Sequence, residues 1–171
     1  FDLGNRFNAI TDGKKVISFP SYLLRINSRQ DLDYTKDDFR SQQSFCVEHG
    51  ALRYAVGAIA GMLAAQPTFA SDKWEKCREF LYAGIGALKL GDTLRVRELR
   101  CSVPDDQDPA QRQPFENLVK THKFKVNGLE MTVRIDKVVI VPEGHMAWHK
   151  ALSSGLLQYG QYANGVLDLG G

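Results

Sequence analysis

Phe1-Asp2-Leu3-Gly4-Asn5-Arg6-Phe7-Asn8-Ala9-Ile10-Thr11-Asp12-Gly13-Lys14-Lys15-Val16-Ile17-Ser18-Phe19-Pro20 reads as three strands in succession. Asp12-Gly13 is a strong hairpin-turn signal between the apolar runs Phe7 to Ile10 and Lys15 to Phe19. Phe1 to Leu3 precedes them as the end of a strand entering a turn at Gly4-Asn5. Pro20 closes the third strand because it cannot donate a ladder hydrogen bond. The chain opens on Phe1 and already inside a strand, so the expectation is that residues upstream have been lost.

Working outward, Asn27 to Gln43 is polar and without period, which reads as an irregular surface excursion. Phe45 to Gly50 and Arg53 to Gly57 are two short β-prone runs, a second and smaller hairpin. A helix is expected from about Asp72, with Glu75 reaching back in a capping box. Its core stripe is Trp74, Cys77, Leu81, Ile85 and Leu88, at steps of three and four. Leu94 to Val103 alternates as one strand ending at Pro104, followed by a loop over 105–113 and a short helix from Pro114 to about Lys120. Asn127-Gly128 joins His122–Val126 to a long strand from Glu130 to Val141. Pro142-Glu143-Gly144 then opens a helix with Trp148, Leu152 and Leu156 on one face, and Gly165 to Leu169 is a strand running into Gly170-Gly171. This order of elements is a mixed α/β pattern.

With 171 residues and 43% apolar content, the chain can bury the core of one domain. Its net charge of +2 gives no electrostatic reason to name nucleic acid or membrane as the main partner. Cys46, Cys77 and Cys101 are widely spaced, without a CxxC pair, which suits reduced thiols. No apolar run reaches the roughly 20 residues that cross a bilayer, and no signal peptide is evident. The expectation is a cytoplasmic protein.

The most informative feature is a pair of similar turns, Asp2-Leu3-Gly4-Asn5 and Asp168-Leu169-Gly170-Gly171. Each sets an aspartate at the end of an apolar strand, just before a glycine that lets the backbone approach a ligand. Two such turns facing a common hollow, on neighbouring central strands, would cradle phosphates with main-chain N–H groups. Asp2 and Asp168 would then hold a hydrated Mg²⁺, which prefers oxygen ligands and keeps waters.

With these turns stand Phe19-Pro20-Ser21, Tyr54-x-Val56-Gly57, Val103-Pro104, Val141-Pro142-Glu143 and Val166-Leu167-Asp168-Leu169-Gly170-Gly171. In this order the chain resembles the N-terminal half of the ParM-type actin-like ATPases. The resemblance implies a ribonuclease-H-like domain, a mixed central sheet with helices on its faces, with a core over about 1–20 and 71–171. A small hairpin subdomain would be inserted at about 21–70. It implies ATP with Mg²⁺, self-association into filaments, a DNA-adaptor partner and a role in plasmid or DNA segregation. Gly4, Asn5, Arg6, Gly170 and Gly171 would line the phosphates, Asp2 and Asp168 would contact the metal's water shell, and Glu143 would orient the attacking water.

Two departures accompany the resemblance. Ala9 stands where the family carries a phosphate-touching lysine, with Arg6 as the nearby substitute. The chain also ends at Gly171, where the family continues into a second domain, so the expectation is a fragment that does not turn over ATP by itself. The alternatives are a non-catalytic interaction domain on the same scaffold and a relative of the sugar and acetate kinases. His145 and His149 are spaced for a metal but lack a third ligand and the intervening glutamate of the zinc-protease motif. Gly84-Ile85-Gly86 falls late in a helix, where packing explains it better than a dinucleotide fingerprint. Arg95, Arg97 and Arg100 read as a solvated strand edge, with a filament or adaptor contact as the sharper option.

Overall fold

In the computed structural model, which describes residues 1–27, 43–63 and 74–145 together with 152 and 155, the first twenty residues fold as their turn signals dictate. β1 (Asp2–Leu3), β2 (Phe7–Thr11) and β3 (Val16–Pro20) form an antiparallel meander, and Asp12 Oδ1 accepts from the N–H groups of Lys14 and Lys15 at 2.9 and 2.8 Å. After β4 (Leu23–Arg25) come β5 (Ser44–His49), β6 (Leu52–Gly57), α1 (Ala58–Met62) and α2 (Cys77–Leu88). β7 (Thr93–Val96), β8 (Leu99–Val103), α3 (Pro109–Glu116), β9 (Thr121–Val126), β10 (Leu129–Ile135) and β11 (Val138–Pro142) complete the described elements.

The strands form two sheets. The first is ordered β11-β8-β1-β2-β3, with β11, β8 and β1 mutually parallel. The second is ordered β4-β6-β5-β9-β10-β7, and so combines the hairpin strands β4 to β6 with strands from later in the chain. The mixed α/β architecture expected from the sequence is present.

α2 lies in the angle between the sheets and is buried on nearly every side. A side chain at Gly84 would meet Ile10 Cγ2 of the first sheet at 2.8 Å, and one at Gly86 would meet Val126 Cγ1 of the second at 2.7 Å. Glycine at both positions therefore lets one helix touch two sheets at once. The predicted stripe Trp74, Cys77, Leu81, Ile85 and Leu88 is buried in the main core with Phe19, Phe80 and Phe115. That pairing of glycines with a helix stripe is why Gly84-Ile85-Gly86 serves packing.

Five expectations are corrected. α2 begins at Cys77 with Lys76 as N-cap and no side-chain cap; Asp72, its expected cap, lies outside the described residues. The strand expected over Leu94–Val103 is two strands in different sheets, and the long strand over Glu130–Val141 is likewise β10 and β11. Both breaks have a readable cause. Inward positions fall on Leu94 and Val96 but then on Leu99, Cys101 and Val103, and on Met131, Val133 and Ile135 but then on Val138 and Ile140. A phase slip of one residue turns the buried side toward a different sheet. α3 starts at Pro109, not Pro114, because Asp108 Oδ1 accepts from Ala110 N at 2.9 Å and Pro109 needs no donor in the first turn. Finally, β8 is internal to its sheet, so Arg100 does not lie on an edge strand, whereas Arg95 on β7 does.

Cys46, Cys77 and Cys101 are buried and not joined in disulfides. Burial pushes the thiols of Cys77 and Cys101 up to about 12, far from the reactive thiolate. Among the described residues no helix is long and apolar enough to cross a membrane.

Two polar features of the core stand out. Asn8 is fully buried between its register partners Leu3 and Phe19, and among the described residues neither its Oδ1 nor its Nδ2 has a hydrogen-bond partner. His122 is buried but paired: Nε2–H donates to Leu118 O at 2.8 Å, which leaves Nδ1 to accept from the Tyr82 hydroxyl at 2.7 Å. The neutral imidazole satisfies both, and burial draws its pKa below the ordinary 6.5.

An unpaired buried amide costs about 1–3 kcal/mol of desolvation, so Asn8→Leu, of similar shape, is expected to raise the unfolding free energy by about 1–2 kcal/mol in urea titrations. For His122 the unfolded state binds more protons than the folded state below pH 6.5. Stability contributed by the neutral ring is therefore present above that pH and lost as pH falls, with a slope approaching about 1.4 kcal/mol per unit. His122→Gln should flatten this part of the stability profile, measured by denaturant midpoints between pH 7.5 and 5.

Candidate functional site

Because β1, β8 and β11 run parallel, their C-terminal ends share one edge of the first sheet, the place where open α/β sheets receive ligands. Three chain segments arrive there: the turn at Gly4-Asn5-Arg6, the loop over 104–108, and Glu143.

The turn is tightly built. A side chain at Gly4 would collide with the carbonyl oxygen of Phe7, so this position excludes every other residue without a shift in the backbone. Ser21, buried behind Pro20, fixes the turn from within: its hydroxyl donates to Gly4 O at 2.7 Å and its N–H to Arg6 O at 2.8 Å. Two carbonyl dipoles are thereby drawn inward, which frees the outer side of the turn for an anion. The side chains of Asn5 and Arg6 are exposed on it.

Asp2 precedes the turn on the open face of the sheet. Its carboxylate accepts from Ser102 Oγ at 2.8 Å, which fixes its direction. Ala9 is the register partner of Asp2 and projects to the same face, so the missing lysine would have stood directly across from Asp2. Only a methyl group is there.

Glu143 follows β11, and its N–H donates to Val103 O at 2.7 Å. The registers Asp2 with Ser102 and Ser102 with Val141 carry the row across three strands. Two residues on, Gly4 and Glu143 are therefore level, two strand spacings or about 10 Å apart. The ground between them belongs to the loop over 104–108. Its carboxylates hold their own loop, with Asp105 Oδ1 accepting from Gln107 N at 2.9 Å and Asp108 capping α3.

Asp2, Gly4, Asn5, Arg6 and Glu143 are thus brought to one edge. Asp168, Gly170 and Gly171, and with them the expected meeting of the two turns, lie outside the described residues, as does His149. Among the described residues no three His, Cys, Asp or Glu side chains group to hold a bare metal ion. A hydrated Mg²⁺ needs only one or two carboxylates besides phosphate oxygens, and the exposed, oriented Asp2 suits that demand. Sequence reasoning missed Ser102 and the anchoring role of Ser21. An outward serine beside an aspartate on the next strand has no local sequence signature, whereas Ser21 directly after a strand-ending proline was at least visible.

A family model described as actin like proteins N terminal domain matches residues 1–145. Comparison with curated proteins by sequence gives no match. Among solved structures, Ta0583, an archaeal actin homolog, is 12% identical, with a TM-score of 0.70 over 92% of this chain and 49% of that one; it has also been solved in complex with ADP. The apo pSK41 ParM protein is 17% identical, TM-score 0.62, over 83% of this chain and 48% of that one. AlfA from Bacillus subtilis plasmid pLS32, solved as a filament, is 19% identical, TM-score 0.63, over 86% and 56%. At such identities the likeness speaks for the fold. The chain spans about half the length of these proteins. By the match over residues 1–145, carried on the actin-like fold described above, the chain belongs to the family of actin-like proteins through their N-terminal domain.

Proposed function

We propose that this chain is the nucleotide-clasping half of a filament-forming ATPase, and that the edge formed by β1, β8 and β11 takes the phosphates of Mg²⁺-ATP. The observation that carries this reading is the level placement of the Gly4 turn and Glu143, with Asp2 oriented by Ser102 on the same sheet. Bound Mg²⁺ would neutralise phosphate charge. Asp2 would hold its water shell, Gly4, Asn5 and Arg6 would present main-chain N–H groups and a guanidinium to the phosphates, and Glu143 would orient a water toward the terminal phosphorus. Asp168, Gly170 and Gly171 would complete the phosphate clasp from the other side.

In this reading a second domain closes the cleft, the 171-residue chain alone does not turn over ATP, and the complete protein polymerises in the cytoplasm to move plasmid DNA through an adaptor. The filaments of AlfA and ParM relatives support self-association. A division into a core of about 1–20 and 71–171 with an insertion at about 21–70 belongs to the same reading. Ala9 favours one rival, a scaffold that has kept the fold for binding partners and given up catalysis.

Saturating Mg²⁺-ATP is expected to raise the melting temperature of the longest native form of the protein by several degrees, since ligand at a hundredfold excess over Kd stabilises by about 2.7 kcal/mol. Asp2→Asn should weaken the Mg²⁺ dependence of that shift. Glu143→Gln should keep the shift and lower phosphate release by at least 100-fold. No shift at millimolar nucleotide would decide for the interaction scaffold.

A further inference from the structure

Among the described residues β7 is the edge strand of the second sheet, paired on one side only, to β10 in parallel. Thr132 N donates to Asp92 O at 2.7 Å and Asp136 N donates to Val96 O at 2.9 Å. Asp92 and Val96 therefore turn their main-chain groups toward β10, and by strand alternation Thr93 and Arg95 turn theirs outward. Among the described residues nothing pairs with that outer edge.

The side chains along the edge divide into two rows. Leu94 and Val96 point inward and are only half-buried against the core. Arg95 points outward, beside Arg134 of β10, with 68% and 64% of the two side chains exposed. Both guanidinium groups reach Asp136 through Nε, at 2.7 and 2.8 Å. Where the chain leaves the edge, Glu98 receives Arg100 Nε at 2.8 Å and Lys137 Nζ at 3.3 Å. Arg97 stands exposed between the two groups. With the exposed Asp92 at the start of the edge, five cations stand with three carboxylates, an excess of two that equals the +2 of the whole chain.

We propose that the β7 edge is a docking strand for an extended segment of a partner protein in which acidic and apolar residues alternate. Main-chain bonds from Thr93 and Arg95 would extend the second sheet by one strand. Carboxylates on the outer face would lie about 5 Å from Arg95, whose guanidinium fork can donate to a second carboxylate beside Asp136, and the exposed Arg97 stands just beyond. Apolar residues on the inner face would finish the burial of Leu94 and Val96. The same cations turn away basic strands, so the charge that protects a bare edge also selects its occupant. Carboxylates are favoured over the phosphates of nucleic acid because the site already holds carboxylates, pairs through backbone, and sits on a chain of low net charge.

The test is a fluorescence-anisotropy titration of the whole chain against a labelled acetylated peptide, Glu-Val-Glu-Thr-Glu-Val. A block peptide of the same composition and a 20-base-pair DNA duplex serve as comparisons, with amide hydrogen exchange followed in parallel. The alternating peptide should bind at least tenfold more tightly than the block peptide and slow exchange at Thr93 and Arg95 at least tenfold. Arg97→Glu, at an exposed side chain, and Thr93→Pro, which removes one outward N–H from an edge, should each cost tenfold or more in affinity while the melting curve is kept. Equal binding of the block peptide without slowed amides, tighter binding of the duplex, or no binding at millimolar peptide would each overturn the proposal. Should Thr93→Pro fail to fold, Arg97→Glu and the exchange pattern decide.

Discussion

The fold rests on one helix that must fit two surfaces at once. α2 meets Ile10 of the first sheet at Gly84 and Val126 of the second at Gly86, two residues apart on nearly opposite sides of the helix. A methyl group at either point would push one sheet away, and close-packed cores absorb such changes poorly. The large residues around these glycines, Phe80, Leu81 and Ile85, fill the angle that the close approach creates. The first sheet is thus backed at β2 and β3 by α2, while α3 lies against β8 and β11, the strands that lead to Glu143 and the loop over 104–108.

The buried polar network reinforces the same joint. Tyr82 on α2 stacks on Phe124 of β9 with ring centroids 3.9 Å apart, and its hydroxyl reaches His122. Glu79, one turn earlier, accepts from Arg78 at 2.9 Å and lies 2.9 Å from His49 Nε2 of β5. These contacts fasten the helix to the second sheet, while toward the first the helix meets Ile10 at Gly84 and accepts one hydrogen bond, from Lys15 Nζ to Ala87 O at 3.3 Å. Asn8, between Leu3 and Phe19, is buried on that side, and no contact among the described residues explains it.

Much of this was legible in the residues themselves. Asp12-Gly13 and Asn127-Gly128 marked their hairpins, and the α2 stripe was buried as its spacing required. The tight turn after Asp2 was legible in Gly4, because only glycine tolerates the approach of the Phe7 carbonyl. Where the reading failed, the cause was long range or a small shift of phase. Arg97-Glu98 and Asp136-Lys137 look like continuations of polar alternation, yet each moves the apolar side by one position and sends the strand into another sheet. Asp108-Pro109 carried the same helix-start chemistry as the later Pro114 and a better cap. The Ser102 hydroxyl on Asp2 joins residues a hundred positions apart, and no local pattern announces such a bond.

The two crossings at Arg97-Glu98 and Asp136-Lys137 lie side by side, and pairing does not stop between them. Asp136 N still donates to Val96 O and Leu99 N to Lys137 O, both at 2.9 Å, so the ladder of β7 with β10 passes without a gap into that of β8 with β11. Tension along these strands would load several bonds together in shear instead of peeling them one by one. The joint between the sheets is therefore a splice in a continuous cable, stiff along its length and free to flex only across it.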